Sequence, residues 1–209
     1  MTSSLYTPAH FAAPDREAML ALIESYDFGI LFVADGDDMQ ASHLPFMLDR
    51  SRGENGTLLA HVARANPIWK LLETRPALAV FQGEHGYVSP RWYETQPAVP
   101  TWNYAAVHAK GPARLVHEPA ELKALVDRLS RVYEDPAQWS VAGQPDRFID
   151  GLARGIVGIE IEIAELRGKF KFSQNRPAAD RANVLAALEG SSRHGDRALA
   201  AEMRKVLKA

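Results

Sequence analysis

The hydrophobic and polar positions of this chain change period several times, and each change marks an element. Over 14–27 the apolar residues Met19, Leu22, Ile23 and Tyr26 recur at helical spacing behind acidic Asp15 and Glu17. This predicts an opening helix with its acids at the positive end of the dipole. The β-rich runs 29–34 and 40–48 flank a polar, glycine-containing stretch at 35–38, so a hairpin is expected. A second turn over 49–56 leads into a strand over 57–63. Asn66 as N-cap and Pro67 at the first helical position then predict a short helix that stops before Pro76, followed by a buried strand over 77–82. Gly83 and Gly86 predict a break with His85 inside it, then a short strand at 87–89 and a proline-punctuated loop to Pro100.

Residues 101–116 read as one long strand bent near Gly111 and Pro112. Over 119–133, Leu122, Leu125, Val126, Leu129 and Val132 share one side, the mark of a helix crossing the outside of a sheet. A short helix is expected over 146–154. In 156–166 the residues Val157, Ile159, Ile161 and Ile163 alternate with Gly158, Glu160 and Glu162, the period of a strand with one wet face. After Pro177, two helices are separated by Gly190, Ser191 and Ser192. Strands with only short helices between some of them suit an antiparallel barrel with α additions better than a doubly wound sheet. No Gly-rich phosphate loop supports a dinucleotide fold.

With 209 residues of which 46% are apolar, the chain can bury a real core, and one core is the simplest reading. No apolar run reaches bilayer length, and the start MTSSLYTPAH lacks the basic and apolar regions of a leader, so a soluble, cytoplasmic protein is expected. There is no cysteine, so redox chemistry would have to come from a bound cofactor. A net charge of −2 counts against a protein that grips DNA phosphates unaided, although a local basic patch is compatible with it.

The segment 58–81, LLAHVARANPIWKLLETRPALAVF, runs an apolar strand into Arg64 and then into the Asn-Pro helix start. A guanidinium beside free helix N–H groups outlines an anion site, and an ordinary strand-to-helix connection with an exposed Arg is the alternative. Trp102 and Tyr104 fall on one side of an extended strand and Asn103 on the other; the aromatics suit either a core or a flat ligand, whereas Thr101 and Asn103 need polar partners. His43 and His61 lie on expected strands, as partnered structural groups or as proton carriers. No HExxH or GxSxG spacing points to a metal or to a hydrolase nucleophile.

Several segments, in this order, carry a resemblance: HVARANP, YVSPRWY (87–93), VPTWNY (99–104) and KFKFSQNR (169–176), with Tyr6, Pro8 and Phe11 near the start and SHLPF around His43, Pro45 and Phe46. Over nearly its whole length the chain resembles the PaiB-type family of FMN-binding negative transcriptional regulators. The resemblance implies a mainly β fold with α additions, an FMN-binding split β-barrel over residues 1–177, and a helical extension over 178–209 packed on the barrel or on a dimer partner. It also implies a homodimer holding FMN near the subunit interface.

Under that resemblance, Arg64 and Lys171, with Ser173, Gln174 and Asn175, are the expected phosphate partners. Lys171 and Arg176 taken alone would read as solvated surface. Backbone groups at Ala60, His61 and Val62 and the residues Thr101, Trp102 and Asn103 are expected around the flavin ring. Whether such a protein is a flavin-sensing regulator acting through a protein or DNA partner, or a flavin-dependent oxidoreductase of a small molecule, stays open. So does a haem-binding split barrel with His43, His61 or His85 as axial ligand. The tail carries a slight positive excess, and docking of its apolar faces (Val184, Leu185 and Leu188, then Leu199, Met203, Val206 and Leu207) is favoured over a DNA-reading helix pair.

Overall fold

A computed structural model describes residues 5–208; residues 1–4, at the start examined above for leader features, lie outside the described residues. Helix α1 (Arg16–Ser25) begins where Asp15 Oδ1 accepts the Ala18 N–H at 2.7 Å, an N-terminal cap. Strands β1 (Phe28–Asp35) and β2 (Asp38–Pro45) form the expected hairpin, with Phe28 opposite Pro45 and Asp35 opposite Asp38. The run read as 40–48 is two strands, because it breaks at Phe46, whose N–H donates to Asp27 O at 2.8 Å, before β3 (Met47–Asp49). Strand β4 (Thr57–Ala63) keeps its expected bounds. Helix α2 (Ile68–Leu72) starts just after Pro67, with Asn66 Oδ1 accepting the Ile68 N–H at 3.1 Å.

Strand β5 (Ala77–Val88) runs unbroken through the expected glycine break and carries His85. It is followed, in chain order, by β6 (Thr101–Gly111), β7 (Ala113–Val116), α3 (Pro119–Ser130), α4 (Asp146–Ala153), β8 (Ile156–Glu162), β9 (Glu165–Lys171), α5 (Ala178–Glu189) and α6 (Asp196–Lys208). The long strand expected over 101–116 is thus two, divided at Pro112, which has no N–H to give to a ladder. Neither Gly83 nor Gly86 takes a positive φ, so neither forces a turn. Gly86 is needed for packing instead, since a Cβ there would come within 2.7 Å of Leu199 Cδ2 on α6.

Two sheets result, one ordered β2-β1-β5-β6-β9 and the other β3-β4-β8-β7. The residues group into two compact units: one holds residues up to Leu22, Gln82–Val107 and everything from Arg167, and the other holds Ile23–Phe81 and His108–Leu166.

In the second of these units β8 is paired on both sides, antiparallel to β4 and to β7. Its expected wet face is exposed at Glu162 only. Gly158 and Glu160 are buried with the isoleucines. Helix α3 lies over Gly158, where a Cβ would come within 2.6 Å of Leu125 Cδ2 and 3.2 Å of Leu122 Cδ2. Glycine here makes room for the helix. The buried Glu160 is held by Arg52 and Arg114, so alternation alone missed the helix over Gly158 and the arginines on Glu160.

In the first unit the two tail helices form as read, and Val184, Leu188, Leu199 and Met203 are fully buried. No helix among the described residues is long and apolar enough to cross a membrane.

Candidate functional site

Alternation along β9 and the residue after it sends Phe170 and Phe172 inward and Lys169 and Lys171 to the opposite face, as a period of two requires. Aromatic rings frame these cations. Lys169 Nζ lies 5.3 Å from the Tyr6 ring centre and 5.4 Å from that of Tyr104, and Lys171 Nζ lies 5.7 Å from that of Phe11. After the turn, Arg176 Cζ sits 4.1 Å over the ring of Tyr93, close enough for a cation–π contact. Lys171 Nζ donates to Thr101 Oγ1 and, at 2.7 Å, to Trp102 O.

Among the described residues none of these three cations is paired with a carboxylate. Burial, and then the like charges of Lys169 and Arg176, hold the Lys171 ammonium below the usual lysine range. A multiply charged anion placed here would relieve that repulsion.

The turn carrying these cations is built by three of the expected site residues. Ser173 is buried and takes φ 65°, a left-handed conformation uncommon outside glycine. Asn103, with 0% exposure, donates from Nδ2 to Ser173 Oγ at 3.0 Å and to Met203 Sδ at 3.4 Å. Gln174 Oε1 accepts the Phe172 N–H at 2.6 Å, and its Nε2 donates to Phe170 O. The polar groups of Asn103, Ser173 and Gln174 are therefore spent largely on shaping the turn, while Asn175 is exposed on it. Trp102 is 48% exposed beside His85 and Tyr87, with ring centres 6.5 and 6.1 Å away, so its indole lies at the surface and not in a core.

Apart from His85, which lies in the same unit as these cations, the remaining expected residues belong to the other unit. Ala60 and Val62 are buried on β4, and Ala60, His61 and Val62 stand opposite Ile159, Gly158 and Val157 of β8. His61 Nδ1 is buried without a hydrogen-bond partner, and burial holds the ring below the usual histidine range. Arg64 donates from Nε to Arg154 O and from Nη2 to Ile156 O, both at 2.8 Å, which ties the end of β4 to the start of β8. His43 is exposed and stacked on Phe28 with ring centres 6.5 Å apart. The exposed His85, on β5, places Nδ1 3.1 Å from Gln82 Nε2.

Residues 5–165 match the family described as "Putative FMN-binding domain". The chain belongs to this FMN-binding domain family. It is 28% identical over 208 residues to the protease synthase and sporulation protein PAI 2 of Bacillus subtilis, covering 98% of this chain and 99% of that one. It is 34% identical over 227 residues to an uncharacterized protein of Emericella nidulans, covering 88% of this chain and 90% of that one. The PaiB-type resemblance therefore stands.

Among solved structures, the flavocytochrome Anf3 of Azotobacter vinelandii superposes with a TM-score of 0.63 at 16% identity, covering 87% of this chain and 80% of that one. The FAD and heme binding protein of Mycobacterium smegmatis does so with a TM-score of 0.61 at 13% identity, covering 82% and 78%. The fold is the expected one, mainly antiparallel β with α additions in the split-barrel class.

The expected site omitted Lys169 and Arg176, although both stand in the KFKFSQNR segment that carries the resemblance. The KFKF alternation carried the signal for Lys169, since two lysines two apart on a strand share a face. Nothing in the sequence pointed to Tyr6, Phe11 and Tyr93 as ring partners of these cations.

Proposed function

We propose that the protein is a PaiB-type flavoprotein that binds FMN, with the dianionic phosphate held by Lys169, Lys171 and Arg176. The observation that carries this reading is the cluster of three cations without a carboxylate partner among the described residues, with Lys171 hydrogen-bonded to the neutral oxygens of Thr101 and Trp102. A phosphate fits such a set because charge-assisted hydrogen bonds to it are about twice as strong as neutral ones. Arg64, two of whose nitrogens already serve backbone carbonyls, is a weaker candidate for that contact. For the flavin ring there are two separate candidates: the exposed indole of Trp102, and strand β4 with the unpaired Nδ1 of His61. When bound, FMN supplies reversible electron transfer.

Purified protein should carry the absorbance bands of flavin; a Soret band would favour haem at His43, His61 or His85 instead. Lys171→Ala should weaken FMN binding by apo-protein at least about tenfold, equivalent to about 1.4 kcal/mol, while leaving the fold intact. Unchanged affinity would remove Lys171 from the site. We further propose a cytoplasmic homodimer whose regulatory action is indirect, since a net charge of −2 offers little for the phosphates of DNA.

A further inference from the structure

Arg176 is the cation of the cluster with the least support from its own chain position, since it follows the turn and stands on neither a strand nor a helix. Its fixed neighbour is Tyr93, whose ring centre is 4.1 Å from the guanidinium carbon. Tyr93 is 5% exposed, and its hydroxyl is buried with no hydrogen-bond partner. A buried tyrosine that makes no bond through its hydroxyl is being used through its ring. The ring is itself held in place: Asp180, fully buried in the first turn of α5, accepts the N–H groups of Glu94 at 2.8 Å and Thr95 at 3.2 Å through Oδ1. Those are the two residues that follow Tyr93.

Resting on the FMN reading above, we infer that Tyr93 is a positioning residue that presents Arg176 to the phosphate, and that together they let this protein distinguish FMN from riboflavin. The two ligands differ only in the phosphate, so any contribution of Arg176 must appear in the ratio of their affinities. A planar guanidinium stacked on a fixed ring keeps its N–H fork in one orientation, which a flexible side chain facing solvent does not.

The test is titration of apo-protein with FMN and, separately, with riboflavin, followed by flavin fluorescence, for wild type, Arg176→Gln, Tyr93→Leu, Tyr93→Phe and the double variant Tyr93→Leu/Arg176→Gln. Circular dichroism and thermal melting report the fold. Arg176→Gln and Tyr93→Leu should each lower FMN affinity about tenfold, a difference of about 1.4 kcal/mol, with riboflavin affinity unchanged. The double variant should lose no more than either single one, because the two side chains act as a unit. Tyr93→Phe, which keeps the ring, should retain the wild-type preference.

A wild-type ratio in folded Tyr93→Leu, or a double variant whose losses add, would overturn the positioning role while leaving FMN binding in place. Equal loss of FMN and riboflavin would overturn it too, by giving Tyr93 a general structural role. Failure of the wild-type protein to prefer FMN over riboflavin would instead remove the phosphate reading itself, and this inference with it.

Discussion

Two groups of cations in this molecule are built in opposite ways. In one unit Glu160, only 8% exposed, accepts from Arg52 at 2.6 Å and from Arg114 at 3.0 Å, and Arg114 also reaches Glu121 at 2.8 Å. In the other, Lys169, Lys171 and Arg176 share a neighbourhood with aromatic rings and neutral oxygens. Protonation records the difference. Hydrogen bonds to Glu160, before other causes, push the Arg52 and Arg114 guanidinia up, and the arginines in return pull Glu160 down to about 2. Lys171 is pushed down, by burial and then by its like-charged neighbours. A cation neutralised by a carboxylate and a cation left among like charges are thus told apart by who stands next to them, and not by residue type or exposure.

The sharpest way to break the comparison is to convert the second group into the first. Lys171→Glu places a carboxylate between Lys169 and Arg176, so the cluster becomes internally paired. FMN affinity should fall at least about 100-fold, or about 2.7 kcal/mol, because one attraction is lost and a like-charge repulsion of the phosphate is gained. In the apo-protein the removed repulsion works against the loss of the hydrogen bonds that Lys171 donates to Thr101 and Trp102, so circular dichroism and a thermal melt are run alongside to confirm that the variant is folded. Undiminished FMN binding in a fluorescence titration would mean that the cluster is not the phosphate site.

Glu160→Gln makes the reverse change, taking the carboxylate from two arginines. Partial exposure of both keeps the expected cost below that of a fully buried pair, at about 1–2 kcal/mol in urea denaturation. FMN affinity should stay within about twofold, well inside the tenfold that a 1.4 kcal/mol change would produce. Acid probes the same network without mutation. Glu160 is lowered from 4.5 to about 2 by Arg52 first, and Asp49 from 3.8 to about 2 by Ser51 and then Arg128. Both carboxyls bind fewer protons folded than unfolded below pH 4.5, so acid favours the unfolded chain. Their contribution is complete above about pH 4.5 and is lost as the pH falls towards 2. A stability profile flat across that window would show the network to be inert.

The start of the strand expected over 156–166, the apolar faces of both tail helices and the 57–63 strand were legible because each is set by near neighbours in the chain. What failed was whatever depends on a distant cover. Gly158 looked solvated until α3 was laid over it and Glu160 until Arg52 and Arg114 closed on it, and the glycines at 83 and 86 looked like a turn until Leu199 of α6 was packed against one of them. The candidate site divides in the same way. Lys171 and Thr101 lie 70 positions apart, yet motif order placed both among the expected residues, and the structure joins them through one hydrogen bond. Arg176 and Tyr93 also close two of the motifs, KFKFSQNR and YVSPRWY, but their pairing was not legible, because a ring and a guanidinium can meet from any separation.

Arg64 is the residue on which sequence and structure weigh most differently, and its removal should have the smallest effect on the ligand. The helix after it has five residues, and the guanidinium donates to Arg154 O and Ile156 O at 2.8 Å. Arg64→Ala therefore leaves two carbonyls without these donors at an exposed edge, where water replaces part of what is lost, for a cost of about 1 kcal/mol in folding stability. Its effect on FMN affinity should be smaller than that of Lys171→Ala measured side by side. Arg64→Lys should not restore the stability, because a single ammonium lacks the planar fork that spans both carbonyls. Equal or greater loss of FMN affinity in a folded Arg64→Ala protein would return Arg64 to the phosphate and make it a second anion contact alongside the lysine cluster.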